Sequence, residues 1–212
     1  MLTPSPARLM VMALLAMPGC AHHDDPIKFY RLDVAAHGTA APAKLSPASI
    51  GLGPIRIPDY LDRPQIIVAI TDQEYRLSEQ HHWAEQLDQN IALALAKALP
   101  HLLGTEQIVR FPWPQRQALD YQISLDILEF HTDATGLSKL IAQWTIKRQD
   151  QILINKRSTF QAPASTSDYG LMVKSQSQCL SLLAQDIANT WRHIQSQTVC
   201  NGQTPGQSSQ CH

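Results

Sequence analysis

Two adjacent histidines with a glutamate three residues on, His81-His82-Trp83-Ala84-Glu85, are the most chemically suggestive group in the chain. Imidazoles beside a carboxylate can hold a divalent cation or run acid/base hydrolysis. The spacing argues against both. A zincin sets its histidines four apart on a helix with the glutamate between them, so that both rings reach one ion. Adjacent histidines on a helix diverge by about 100°, and an exposed helix start is the plainer reading. His22-His23-Asp24-Asp25 has ligand-type side chains, but it falls in a polar tether where metal binding would be adventitious. Asp59 with Asp62, and Glu85 with Asp88, could act as acid/base pairs only if burial drove their pKa values apart. Acidic residues in a first helical turn favour the macrodipole, and Pro58-Asp59 reads as a turn. Gly51-Leu52-Gly53-Pro54 opens like a phosphate-cradling loop, yet it lacks the third glycine, and an extended segment follows where a helix N-terminus is required. There is no Gly-x-Ser-x-Gly elbow. The reading is therefore non-enzymatic, with no cofactor and no metal site; a periplasmic hydrolase built on His82 and Glu85 ranks behind the binding functions considered below.

Cys20 carries a different chemistry. Arg8 precedes an unbroken apolar run over 9–17, followed by Pro18, Gly19 and Cys20. A bilayer span needs about 20 apolar residues, so the run fits the core of a signal peptide instead. A cysteine after such a run, behind a small residue, resembles a lipobox, whose thiol is acylated before cleavage. Met17 stands where a lipobox usually has leucine, and Pro18 is unusual. The alternative is plain secretion, with Gly19-Cys20-Ala21 as a small-x-small cleavage site. By resemblance to bacterial lipoprotein sorting, Ala21 after the cysteine implies the outer membrane. Cys200 and Cys211 could pair in an oxidising compartment, and Cys179 sits on the buried stripe of a helix. The expected layout is signal peptide 1–19, lipidated tether 20–28, one domain over 29–197 and a disordered tail over 198–212.

The elements that position these residues follow from periodicity. Strands are expected over 27–32, 49–57 and 65–71, with a short extension at 75–77. Trp83, Leu87, Ile91, Leu95, Ala98 and Leu102 recur at helical steps, and Gly104 marks the stop. A short strand at 108–111 precedes Pro112-Trp113-Pro114. Tyr121, Ile123, Leu125 and Ile127 alternate with polar residues, then the apolar set shifts to Leu128 and Phe130, the mark of a bulge. Two more strands, turning at Gln149-Asp150, complete an antiparallel meander. Met172, Cys179, Leu183, Ile187, Trp191 and Ile194 line a second helix with Asp168 as N-cap. Trp83 and Trp113 are expected in the core. The fold class is α+β: a two-layer sandwich, a mostly antiparallel sheet with two amphipathic helices packed on one face. With 44% hydrophobic residues and a net charge of −1, the chain lacks the basic patches of nucleic-acid binders.

Gly53-Pro54-Ile55-Arg56-Ile57-Pro58-Asp59-Tyr60-Leu61-Asp62-Arg63-Pro64-Gln65-Ile66 and, later, Trp83-Ala84-Glu85-Gln86-Leu87-Asp88-Gln89-Asn90-Ile91 resemble the ABC-type transport auxiliary lipoproteins. Phe111-Pro112-Trp113 and the strand over 121–130 continue the resemblance, which runs over about 29–191. One departure is Gln86, where the family commonly has proline. The resemblance implies an outer-membrane lipoprotein that works with an MCE-domain protein (PqiB-like) and an inner-membrane component in lipid transport, with no catalytic residues to carry over. Homo-oligomers are a further expectation, drawn from ring-forming MCE partners. In loop 58–64 two prolines fix φ, and Asp59, Tyr60, Leu61 and Arg63 have the composition of a contact hot spot; the other reading tucks Tyr60 and Leu61 into the core. A second function is a lipid carrier that holds an acyl chain between helices and sheet.

Overall fold

The computed structural model describes residues 25–34, 48–114 and 118–201. Cys20 and Cys211 lie outside these residues, as does the side chain of Cys200. The elements in chain order are β1 (Lys28–Tyr30), β2 (Ile50–Arg56), β3 (Gln65–Ala69), β4 (Tyr75–Trp83), α1 (Leu87–Leu103), β5 (Ile108–Arg110), β6 (Tyr121–Asp133), β7 (Leu137–Arg148), β8 (Gln151–Pro163) and α2 (Tyr169–Asn201).

The sheet is organised around β6. One edge of β6 pairs with β7 along its length, and β7 pairs with β8, giving the expected antiparallel meander. The other edge is shared. Its first half runs parallel to β2, from Ile50↔Tyr121 to Arg56↔Asp126, and its last two residues run parallel to β3 at Val68↔Thr132 and Ala69↔Asp133. The β1·β4 and β2·β5 pairs are also parallel. The sheet is thus mixed rather than mostly antiparallel, and it curls toward a half-barrel where a plain two-layer sandwich was expected. The reason is non-local: β2 and β3 enter the sheet through partners some 60 to 70 positions away, which alternation within a strand does not report.

Local patterns hold better. The ladder slips between Ile127 and Glu129, so Leu128 bulges outward at 39% exposure while Phe130 returns to the core. Gly104 closes α1 in the left-handed region, where its N–H donates to the Pro100 carbonyl at 3.0 Å. Asp168 caps α2, its carboxylate accepting the Leu171 N–H at 3.0 Å. Trp144, Trp191 and Phe130 are almost fully buried between helices and sheet, and Tyr121 on β6 meets Trp191 edge-on at 4.7 Å.

Two boundaries need correction. Residues 75–83 form one nine-residue strand, and α1 begins at Leu87 rather than Trp83. Trp83 is buried at the end of β4 and lies four positions before Leu87, so it mimics one more helical turn. The second helix continues through Asn201, beyond the stop expected near Gln197.

Candidate functional site: loop 58–64 and the adjoining cleft

Loop 58–64 links β2 to β3. It is closed by the Leu61 N–H donating to the Pro58 carbonyl at 2.9 Å and the Asp62 N–H to the Asp59 carbonyl at 3.2 Å. Its far end is fixed to β4, because the Trp83 N–H donates to the Pro64 carbonyl at 2.7 Å. The four expected contact residues divide. Asp59 and Arg63 are exposed, Tyr60 is half-buried, and Leu61 is buried at 3% exposure. An exposed Tyr-Leu pair is therefore corrected: Leu61 is a peg that seats the loop in the core.

Tyr60 joins the loop to the rest of the site. Its ring stacks on Tyr75 at 4.8 Å, and Tyr75 meets His131 edge-on at 5.6 Å. Burial, then the neighbouring Tyr75 and Glu129, holds the Tyr60 phenol well above its ordinary pKa, so it stays neutral. His131 is 7% exposed; burial holds its pKa below the ordinary value despite the opposing pull of Glu129. Beside this aromatic row opens a cleft of about 550 Å³, lined by Asp72, Tyr75, Glu129, His131, Asp133 and Lys139 among others. Lys139 and Glu129 pair at 2.8 Å on its wall. The arrangement is a stiff, aromatic-backed platform with a charged rim, which suits contact with a partner.

Sequence reasoning missed Tyr75, Glu129, His131 and Lys139, which β4, β6 and β7 bring together. A signal was present in Phe130-His131, two bulky residues at the end of a strand whose alternation had already slipped.

The remaining candidates lie outside this cleft, and the His82 Nε2 and Glu85 Oε2 atoms are buried without a hydrogen-bond partner among the described residues. His81 and His82 occupy opposite faces of β4. The His81 ring stacks on Tyr169 at 4.0 Å and shares a hydrogen bond with the Tyr30 hydroxyl at 2.8 Å; the His82 ring faces Phe29 at 6.1 Å. Asp88 accepts the Gln89 N–H at 2.7 Å at the start of α1. Gly51 and Gly53 make room for aromatics: a Cβ at Gly51 would lie 2.8 Å from the Trp113 ring. Trp113 itself is part-buried, its indole N–H donating to the Val109 carbonyl at 3.1 Å. Cys179 is buried, as expected from its stripe.

Residues 30–188 match the sequence profile of the ABC-type transport auxiliary lipoprotein component, and the chain belongs to that family. It is a transport-auxiliary family rather than an enzyme family. The chain is 24% identical over 186 residues to the intermembrane transport lipoprotein PqiC of Escherichia coli K12, covering 88% of this chain and 97% of the relative. The PqiC of Shigella flexneri matches equally. Two crystal structures share the fold: a protein from Xanthomonas campestris, with a TM-score of 0.69 and 16% identity over 82% of this chain and 99% of the other, and an uncharacterised protein, with a TM-score of 0.65 and 21% identity over 80% and 99%. Among the described residues, no helix is long and apolar enough to cross a membrane.

Proposed function

We propose that the protein is an outer-membrane lipoprotein, cut before Cys20 and acylated there, that docks an MCE-type, PqiB-like tunnel protein and so completes an intermembrane lipid-transport route with an inner-membrane component. The observation that carries this is the match to PqiC over nearly the whole of both chains. The lipobox-like run before Cys20 supplies the anchor in this reading, and loop 58–64 supplies the contact surface. Asp59 and Arg63 form its exposed charged rim, while Leu61 and the Tyr60–Tyr75 stack hold it in shape. Further copies of the chain, arranged as a docking ring, would match the symmetry of a ring-shaped partner.

Co-purification from membranes tests the docking role. Asp59→Lys combined with Arg63→Glu is expected to cut recovery of the MCE partner about tenfold, the effect of losing roughly 1.4 kcal/mol at a contact rim. Thermal unfolding unchanged by the substitutions would show that the fold survives. Recovery equal to wild type would remove loop 58–64 from the interface. The alternative of a carrier with an acyl chain between helices and sheet meets a packed interior: Trp144, Trp191, Phe130 and Leu183 occupy that space at 2% exposure or less.

A further inference from the structure

Strand β1 presents apolar side chains to solvent where a buried edge would be cheaper. Phe29 is 65% exposed and Ile27 is 50% exposed. Alternation along the strand explains Phe29: Tyr30 turns inward beside Trp83, so Phe29 must turn outward, where its ring makes a T-shaped contact with His82. Lys28 stands between the two apolar residues and is itself exposed. The other face of the strand is covered: the Tyr169 ring of α2 stacks on His81, the ladder partner of Lys28.

Chain length says what faces this margin. Ile27 is seven residues after Cys20. Seven fully extended residues span at most about 25 Å. An acyl-anchored Cys20 therefore keeps β1 within that distance of the bilayer, and closer for any conformation short of full extension. Phenylalanine and isoleucine beside a lysine are the side chains that settle in the headgroup and upper acyl region, the apolar groups buried and the ammonium among phosphates.

We propose that the β1 margin, Ile27 and Phe29 with Lys28, inserts into the lipid interface and sets the tilt of the domain on its membrane. This rests on acylation of Cys20. An aromatic on a short tether meets the bilayer at high effective concentration, so a shallow insertion suffices to hold one orientation.

The experiment uses the full acylated protein extracted from membranes and placed in vesicles of phosphatidylethanolamine and phosphatidylglycerol with brominated acyl chains. Phe29→Trp puts an indole at the margin; Ile152→Trp puts one on β8, at a different edge of the sheet. The wild-type signal is subtracted. The indole at position 29 is expected to lose about half its emission to the bromines while that at 152 is unchanged, as shallow insertion of one edge requires. Equal emission with and without bromine at position 29, on protein whose intact mass shows the acyl chains, overturns the proposal. An unacylated mass overturns both the anchor and the margin. Recovery of the MCE partner is measured on the same preparation, so quenching without docking sinks only the docking role, and docking without quenching sinks only the margin.

Discussion

Gly53 lies directly beneath Phe111: a Cβ built at position 53 would stand 2.6 Å from the Phe111 Cβ, and the Gly53 backbone has φ of 121°. Both facts exclude a side chain. At Gly51, two residues earlier, the nearest atoms to such a Cβ are Leu119 Cδ1 at 2.6 Å, the free end of a flexible side chain, and the Trp113 ring at 2.8 Å, and the backbone there is not left-handed. Gly53→Ala is therefore expected to destabilise the fold by more than about 2 kcal/mol, through clash and backbone strain together. Gly51→Ala is expected to cost less. Urea unfolding of the two variants gives the order, and the reverse order would mean that backbone conformation at 53 matters less than ring packing at 51.

Asp186 on α2 ties the helix to β8. It accepts hydrogen bonds from Ser158 at 2.7 Å and Lys156 at 2.6 Å, and Ser158 in turn accepts the buried Trp144 indole N–H at 3.1 Å. Asp186→Ala is expected to cost about 1–3 kcal/mol, because it strips a partly buried polar chain of its terminal acceptor. The Lys97–Asp33 pair, at 2.8 Å but 69% and 72% exposed, is the control. Asp33→Ala should change stability by about 0.5 kcal/mol or less. A chemical denaturation series that ranks the two alike would contradict this account.

Acid should weaken the fold through histidine. Burial lowers the His131 pKa, so the folded state takes up a proton later than the unfolded chain. Its contribution is present above the ordinary value of 6.5 and is lost as pH falls from there through the lower folded value. One such group gives a slope of at most about 1.4 kcal/mol per pH unit. His81 is lowered as well, first by burial and then by Lys28, so His131→Leu should remove only part of the slope. Stability measured in steps below pH 7 would reveal it; an unchanged slope in the variant would assign the effect elsewhere.

Cys179 should resist alkylation. Burial pushes its thiol up to about 11, and the reactive species is the thiolate. With iodoacetamide at neutral pH, peptide mass mapping is expected to find position 179 modified at least about tenfold more slowly in the folded protein than in urea. Fast native labelling would mean that α2 opens far more readily than its packing implies.

What could be read in advance was what one element contains by itself. The Leu128 bulge, the Gly104 stop, the Asp168 cap and the buried stripes of both helices follow from side-chain type and spacing within a dozen residues. The parallel ladders were hidden because Ile50 and Tyr121 become neighbours only through the fold. The start of α1 was misplaced because core contact, not helicity, set the position of Trp83. Beta strand β4 was obscured further by its ladder slip: one residue of β3 faces four of β4 between the Gln65↔His82 and Ile67↔Leu77 pairs. The loop half of the site was visible in the two prolines and their charged neighbours. The cleft half was not, since three strands must assemble before Tyr75, His131 and Lys139 share a wall.

The double use of one β6 edge has a consequence for how the chain comes together in time. Strand β2 has two ladder neighbours, β5 and β6, and the earlier of them starts at Ile108. As the polypeptide emerges from its N-terminus, β2 stays unmated until more than half the sequence is available. The β3–β4 pair can close sooner, but its link to the rest waits for Thr132. Closing such long loops is slow compared with forming hairpins. Consolidation of the whole sheet therefore begins once the strand that both subsheets need has arrived.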